Sequence, residues 1–165
     1  MNDKYELTDE TMLVAGHRLH RLRALKKIAT HTKTGELGGW IESEKNLSEA
    51  GDAWVADEAQ VFGAAQVFGD ALVFGSARVT GHVRISGNAR VGDSAWISDG
   101  AWVSDDALVS GNARVAGYAR IEDSAWVGDH AWLAGKVRVS GYARVGGRTR
   151  LISSEWVSGD SKMTS

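Results

Sequence analysis

The side chains with the clearest capacity for chemistry are five histidines and a set of acids in glycine-rich surroundings. His82 follows Gly81 and His130 follows Asp129, so both fall in turn sequence. A solvated imidazole near its ordinary pKa can serve there as a general base. His17 and His20 could share one face of a helix, but a three-residue spacing is weak ground for a metal site, and His31 stands apart. Asp105, Asp106 and Asp123 form an acidic group that calcium could use; the plainer reading is that aspartate suits turns. The chain has no cysteine, hence no thiol nucleophile, disulfide framework or cysteine-based zinc site. There is no phosphate-binding glycine loop, catalytic triad or convincing carboxylate pair. The expectation is no metal, no resident cofactor and no assigned catalytic residue.

What positions these side chains is a period of six. Every sixth residue from Val55 to Val157 is aliphatic, 18 in all. Two residues before each stands alanine from Ala53 to Ala143, except Val83 and Val137, and the column decays at Thr149 and Glu155. Two residues after each stands glycine or aspartate, except Ser153. Ala-x-Val reads as a short strand with alanine and valine on one face, and Gly or Asp supplies a turn residue that tolerates positive φ. So short a strand cannot stand alone. Repeated without insertion, three strands and three turns close one coil around a narrow triangular interior. The 18 hexads predict six coils, about 29 Å of parallel ladders at the spacing of paired strands. In this frame His82 and His130 lie on different corners several coils apart, while Asp105, Asp106 and Asp123 share one corner on adjacent coils.

The residue between alanine and valine points outward, and every third one stacks on the same flat face. The first face reads Trp54, Leu72, Arg90, Leu108, Trp126, Arg144; the second Gln60, Arg78, Trp96, Arg114, Trp132, Arg150; the third Gln66, Arg84, Trp102, Arg120, Arg138, Trp156. Guanidinium and indole at ladder spacing can stack, worth about 0.5–1 kcal/mol per exposed pair. Such ladders could serve only the monomer. The sharper expectation is a contact surface centred on Arg78, Trp96, Arg114, Trp132, Arg150, Arg84, Trp102, Arg120 and Trp126, because Trp and Arg dominate binding hot spots and this much outward apolar surface is unusual for a lone small protein. Phe62, Phe68 and Phe74 fall on three successive corners, which the N-terminal segment or a neighbour should cover.

Residues 1–52 lack the repeat. The basic run His17 to Lys27 fits a short strand or an amphipathic helix, and Gly35 to Glu44 reads as a turn and a strand leading into the coil. Capping the open end of the ladders is its expected task, with a basic docking patch as the alternative. The expected organisation is therefore a capping segment over 1–52, the β-helix over 53–157 and a polar tail over 158–165.

Segments such as Val61-Phe62-Gly63-Ala64-Ala65-Gln66 and Val91-Gly92-Asp93-Ser94-Ala95-Trp96 resemble the hexapeptide-repeat family. The resemblance implies a left-handed parallel β-helix, an all-β fold. Arg21-Leu22-Arg23-Ala24-Leu25, Gly35-Glu36-Leu37-Gly38-Gly39-Trp40-Ile41-Glu42-Ser43-Glu44-Lys45-Asn46-Leu47-Ser48 and Gly51-Asp52-Ala53-Trp54-Val55 look like the start of YdcK-type proteins, bacterial and prophage-encoded β-helix proteins often labelled transferases by fold analogy. Hexapeptide-repeat proteins are commonly trimeric acyltransferases that use acetyl-CoA and a histidine base. This chain departs from them: its helix has no inserted loop, no C-terminal helix follows, and its histidines form no obvious site.

Bulk properties narrow the choice further. A net charge of −2 gives no general pull toward DNA or anionic membranes, no apolar run approaches a membrane span, and the acidic start is no secretory signal. The sequence reading is a cytoplasmic, non-catalytic scaffold or protein-binding module. It is expected to self-associate as a dimer or trimer, and the prophage resemblance adds a host protein partner. Single-stranded nucleic acid is disfavoured. The alternative is acyl-CoA-dependent acyl transfer with His82 or His130 as base and acetyl-CoA as the cofactor.

Overall fold

The computed structural model describes residues 1–30 and 32–165; His31 lies outside the described residues. Each aliphatic of the six-residue frame sits on a strand of two residues, or three at Arg144–Gly146, beginning with Trp54–Val55 and Gln60–Val61. These strands pair in parallel with the strand 18 residues on, as in Gln60 with Arg78 and Val61 with Val79. Three ladders result, one for each flat face. Alanines and valines of the two inner columns are almost wholly removed from solvent, 0% exposed at Ala77 and Val79. Burying one valine or isoleucine side chain is worth roughly 1.5–3 kcal/mol, and the alanine beside it leaves room for the facing strands to approach.

The solenoid is longer than the strict repeat. Strand β3 (Leu37–Ile41) pairs in parallel with Gln60–Val61, and Leu47 bridges Val67, so a first coil precedes Ala53. Its register is Trp40 with Gln60, two residues beyond the regular spacing, because extra residues lie between Leu47 and Val55. That insertion hides the coil from a six-residue frame. At the other end, Lys162–Thr164 pairs with Arg144–Gly146. The segment 158–165 is thus no free tail: it closes a seventh rung on the first face.

Before the solenoid, strands β1 (Tyr5–Val14) and β2 (His17–Ala24) form an antiparallel hairpin. The basic run is therefore a strand rather than a helix over His17–Ala24. β2 pairs antiparallel with β3, so the hairpin extends the second face outward. Its inner side chains, Tyr5, Leu19 and Leu22, pack onto the start of the solenoid. Tyr5 meets Trp54 edge to face at 6.4 Å and donates its hydroxyl to the Leu47 carbonyl at 2.6 Å. Trp54, nominally outward, is only 1% exposed; its indole occupies the space where a Cβ on Gly38 would come within 2.5 Å. Buried Asn46 donates to the carbonyls of Gly63 and Ala65 at 3.1 and 2.9 Å.

The three phenylalanines are covered by three different means. Phe62 packs with Leu19 and Trp40 under the hairpin. Arg84 lies over Phe68, its guanidinium 5.4 Å from the ring centre. Phe74 lies over Gly92 one coil on, where a Cβ would fall 2.1 Å from the ring, and Arg90 covers its other side. Only the first needs the N-terminal segment.

The corner aspartates have a specific task. Asp57, Asp93, Asp99, Asp105, Asp123 and Asp129 all have φ between +54° and +63°. Each carboxylate accepts the backbone N–H of the corner residue one coil on, for example Asp93 from Gly111 at 2.8 Å and Asp123 from Gly141 at 2.9 Å. Aspartate visits the left-handed region more readily than most residues and adds an acceptor that glycine lacks. Asp123→Ala should therefore lose both, costing about 2 kcal/mol. Asp123→Asn keeps both and should cost less than about 1 kcal/mol. Urea unfolding of the two variants checks this; equal losses would show that the corner needs the carboxylate's charge instead.

Candidate functional site

The outward columns run in register up the faces, as Trp96 with Arg78 and Arg114 and Trp102 with Arg84 and Arg120. Guanidiniums lie over neighbouring rings: Arg150 over Trp132 at 4.2 Å, Arg114 over Trp96 at 5.7 Å, Arg138 over Trp156 at 5.4 Å. Trp102 is sandwiched between Arg84 at 5.4 Å and Arg120 at 5.2 Å, and its indole N–H has no acceptor. Trp126 turns instead along the coil. It lies against Gly128 and Gly146 and donates to Ser110 Oγ at 3.1 Å. Arg78, the remaining arginine of the expected surface, is exposed on the second face.

Two members of this surface are invisible to the repeat frame. β2 and β3 align Arg21 with Trp40, and Trp40 with Gln60, carrying the second-face ladder into the hairpin. The Arg21 guanidinium lies 4.9 Å from the Trp40 ring. Glu58 accepts from the Trp40 indole at 3.0 Å and from Arg21 at 2.8 Å, which holds its carboxyl below the usual range, the indole hydrogen bond contributing most. Arg23 likewise pairs with Glu6, so the basic run is partly neutralised within the cap.

Among the described residues the histidines do not converge. His82 and His130 are both exposed, on separate corners. His130 borders an open groove with Asn112, Arg114, Trp132, Arg148 and Arg150; the sequence marks this only through the 18-residue steps Asn112, His130, Arg148. His17 and His20 serve the hairpin: His17 Nδ1 donates to Glu42 at 2.9 Å, and His20 Nδ1 to the Thr8 carbonyl at 3.2 Å. The acidic corner is also engaged. Asp105 accepts from Ser104 Oγ at 3.0 Å and the Asp123 N–H at 3.2 Å, and Asp106 from Asn88 at 3.0 Å. Among the described residues no three His, Cys, Asp or Glu side chains gather as metal ligands, and no helix is long and apolar enough to cross a membrane.

Stacked two-residue strands in three parallel ladders define a β-solenoid. The family model described as the YdcK beta solenoid repeat matches residues 65–81 and 83–99. Those two stretches are similar to that repeat, and they include Arg78, Arg84, Arg90 and Trp96. No curated protein matches the sequence.

The contact between hairpin and first coil has a pH signature. Glu42 accepts from His17 and, through its other oxygen, from the Gly63 N–H at 2.8 Å. Its carboxyl is held below the usual range, chiefly by His17, against a small opposing effect of burial. A depressed folded pKa gives stability that is present above the unfolded value near 4.3 and lost as pH falls through the folded one. Glu42→Gln should flatten the fall in stability between about pH 5 and pH 3. Denaturant titrations across that range test it; parallel curves for variant and wild type would mean the contact carries no proton linkage.

Proposed function

We propose that the chain is a cytoplasmic, non-catalytic scaffold whose Arg/Trp faces bind an acidic protein partner. The observation that supports this most is the distribution of charge. From Trp54 to Trp156 the outward central column holds arginine, tryptophan, leucine and glutamine and no acid, so the flat faces are cationic although the chain is not. Trp96, Trp132 and Trp156 remain 45%, 39% and 67% exposed even with arginines stacked on them. A guanidinium laid flat on an indole is already ordered, so less entropy is lost when its edge N–H groups meet a carboxylate. The same stacking covers indole faces that bases would need, which favours a protein over single-stranded nucleic acid. Self-association through these faces, and a host protein as partner in keeping with the prophage resemblance, are parts of the same reading.

Trp102→Ala with Trp132→Ala should abolish capture of a specific partner and any homo-oligomer. Hot-spot truncations cost 2 kcal/mol or more each, about 30-fold in affinity. Affinity capture from host lysate and sedimentation of both proteins measure this. Recovery of no specific protein by the wild type, or assembly that survives both changes, would remove these faces as the interface.

A second reading keeps one observation of its own, the three arginines around His130, which would suit an acyl-CoA-dependent transfer with His130 as base. Under it, acetyl-CoA at a hundred times its dissociation constant raises stability by about 2.7 kcal/mol. An unchanged melting curve at millimolar acetyl-CoA argues against that donor.

A further inference from the structure

The corner carboxylates are turned along the solenoid axis, each onto the next coil's backbone, so they are withdrawn from the guanidiniums beside them. The effect is strongest at one place. At the corner between the first and second faces, Asn112, His130 and Arg148 succeed one another one coil apart. Beside them on the second face, Arg114, Trp132 and Arg150 pair in register. Together these six line an open groove of about 600 Å³ with no acid in its wall. The adjacent acid, Asp129, accepts the Gly147 N–H at 2.8 Å. Among the described residues no ion pair involves Arg114, Arg148 or Arg150. The Arg148 backbone N–H is held by the Ser165 carbonyl at 2.6 Å, which fixes where its side chain starts. Arg150 lies on Trp132 at the shortest cation–ring distance in the chain, 4.2 Å; its planar face is used and its edge donors are free.

We propose that this groove is a binding site for a phosphoryl group. Three guanidiniums present forked donors that match tetrahedral oxyanions two at a time, and the imidazole and the Asn112 amide add single donors. That much positive charge without a counter-ion suits a dianion better than one carboxylate. The inference rests on reading the faces as directed toward anions and names the chemistry of one point on them. Free phosphate and a phosphorylated side chain of a protein partner present the same group.

Titration of the full chain with inorganic phosphate, at constant ionic strength against chloride and followed by backbone amide shifts, tests the site. Saturable binding centred on residues 112–114, 130–132 and 148–150 is expected. Arg148→Ala, an exposed change, should weaken it at least tenfold, His130→Gln severalfold, and Lys136→Ala, an exposed change on a different corner, not at all. A phosphoserine peptide titrated beside its unphosphorylated form identifies the source: tighter binding than inorganic phosphate places the group on a partner, equal binding makes it the free anion. Absence of saturation, or equal loss in the Lys136 and Arg148 variants, overturns the proposal by reducing the groove to diffuse attraction. Since this titration needs no partner, it can fail while partner capture stands, and the reverse.

Discussion

A coil that must turn three corners in 18 residues leaves two residues of each hexad for strand and needs a left-handed backbone at nearly every corner. Everything else here depends on that constraint. It confines the turn column to glycine and aspartate, because other side chains crowd the following carbonyl there. It also brings the backbones of successive coils into direct register, so that a short side chain at one corner reaches the amide of the next. Aspartate exploits this at six corners with positive φ. Those six carboxylates are oriented by the backbone's hydrogen bonding, along the edges of the solenoid rather than across its flat faces.

The interior then leaves the flat faces free. Alanine and the aliphatic residue carry the core and the corner residue carries the turn, so the outward residue answers only to its neighbours above and below. Arginine and tryptophan fill this column in stacks worth a few tenths to about one kcal/mol each, an amount that steadies side chains without deciding the fold. The stacks and a binding role are compatible. Stacking orders the guanidiniums over one coil spacing, and ordered donors lose less freedom when an anion arrives.

How much of this could be read from residues alone follows from the same geometry. The frame of six exposed the inner columns, the outward ladders and the corner aspartates, because each obeys one spacing. It lost the first coil, where extra residues between Leu47 and Val55 break the period although the Ile41 and Leu47 strands stack normally. It also lost the last rung at Met163, since Ser161 stands in the alanine column there although Gly159 still marks the corner. The hairpin was ambiguous because His17 to Ala24 takes its strand form from pairing with β1 and β3 on either side, and such pairing leaves no clear period within the segment. Arg21 and Trp40 therefore joined the second-face ladder only once the register across β2 and β3 was known. His17 and His20 show the cost of reading spacing without the element: on a strand, an odd separation sends them to opposite sides.

The groove at His130 was half legible. Steps of 18 place Asn112, His130 and Arg148 one above another, and Arg114, Trp132 and Arg150 fall beside them by the same rule. What the sequence could not supply was the direction of Asp129. Read as a neighbour of His130, that carboxylate would orient the imidazole and neutralise Arg148, giving a structural corner. Turned instead onto the Gly147 amide, it leaves three guanidiniums without an ion-pair partner on the surface. One hydrogen bond, which aspartate adds to the left-handed corner, decides whether this edge is a neutral seam or a cationic site.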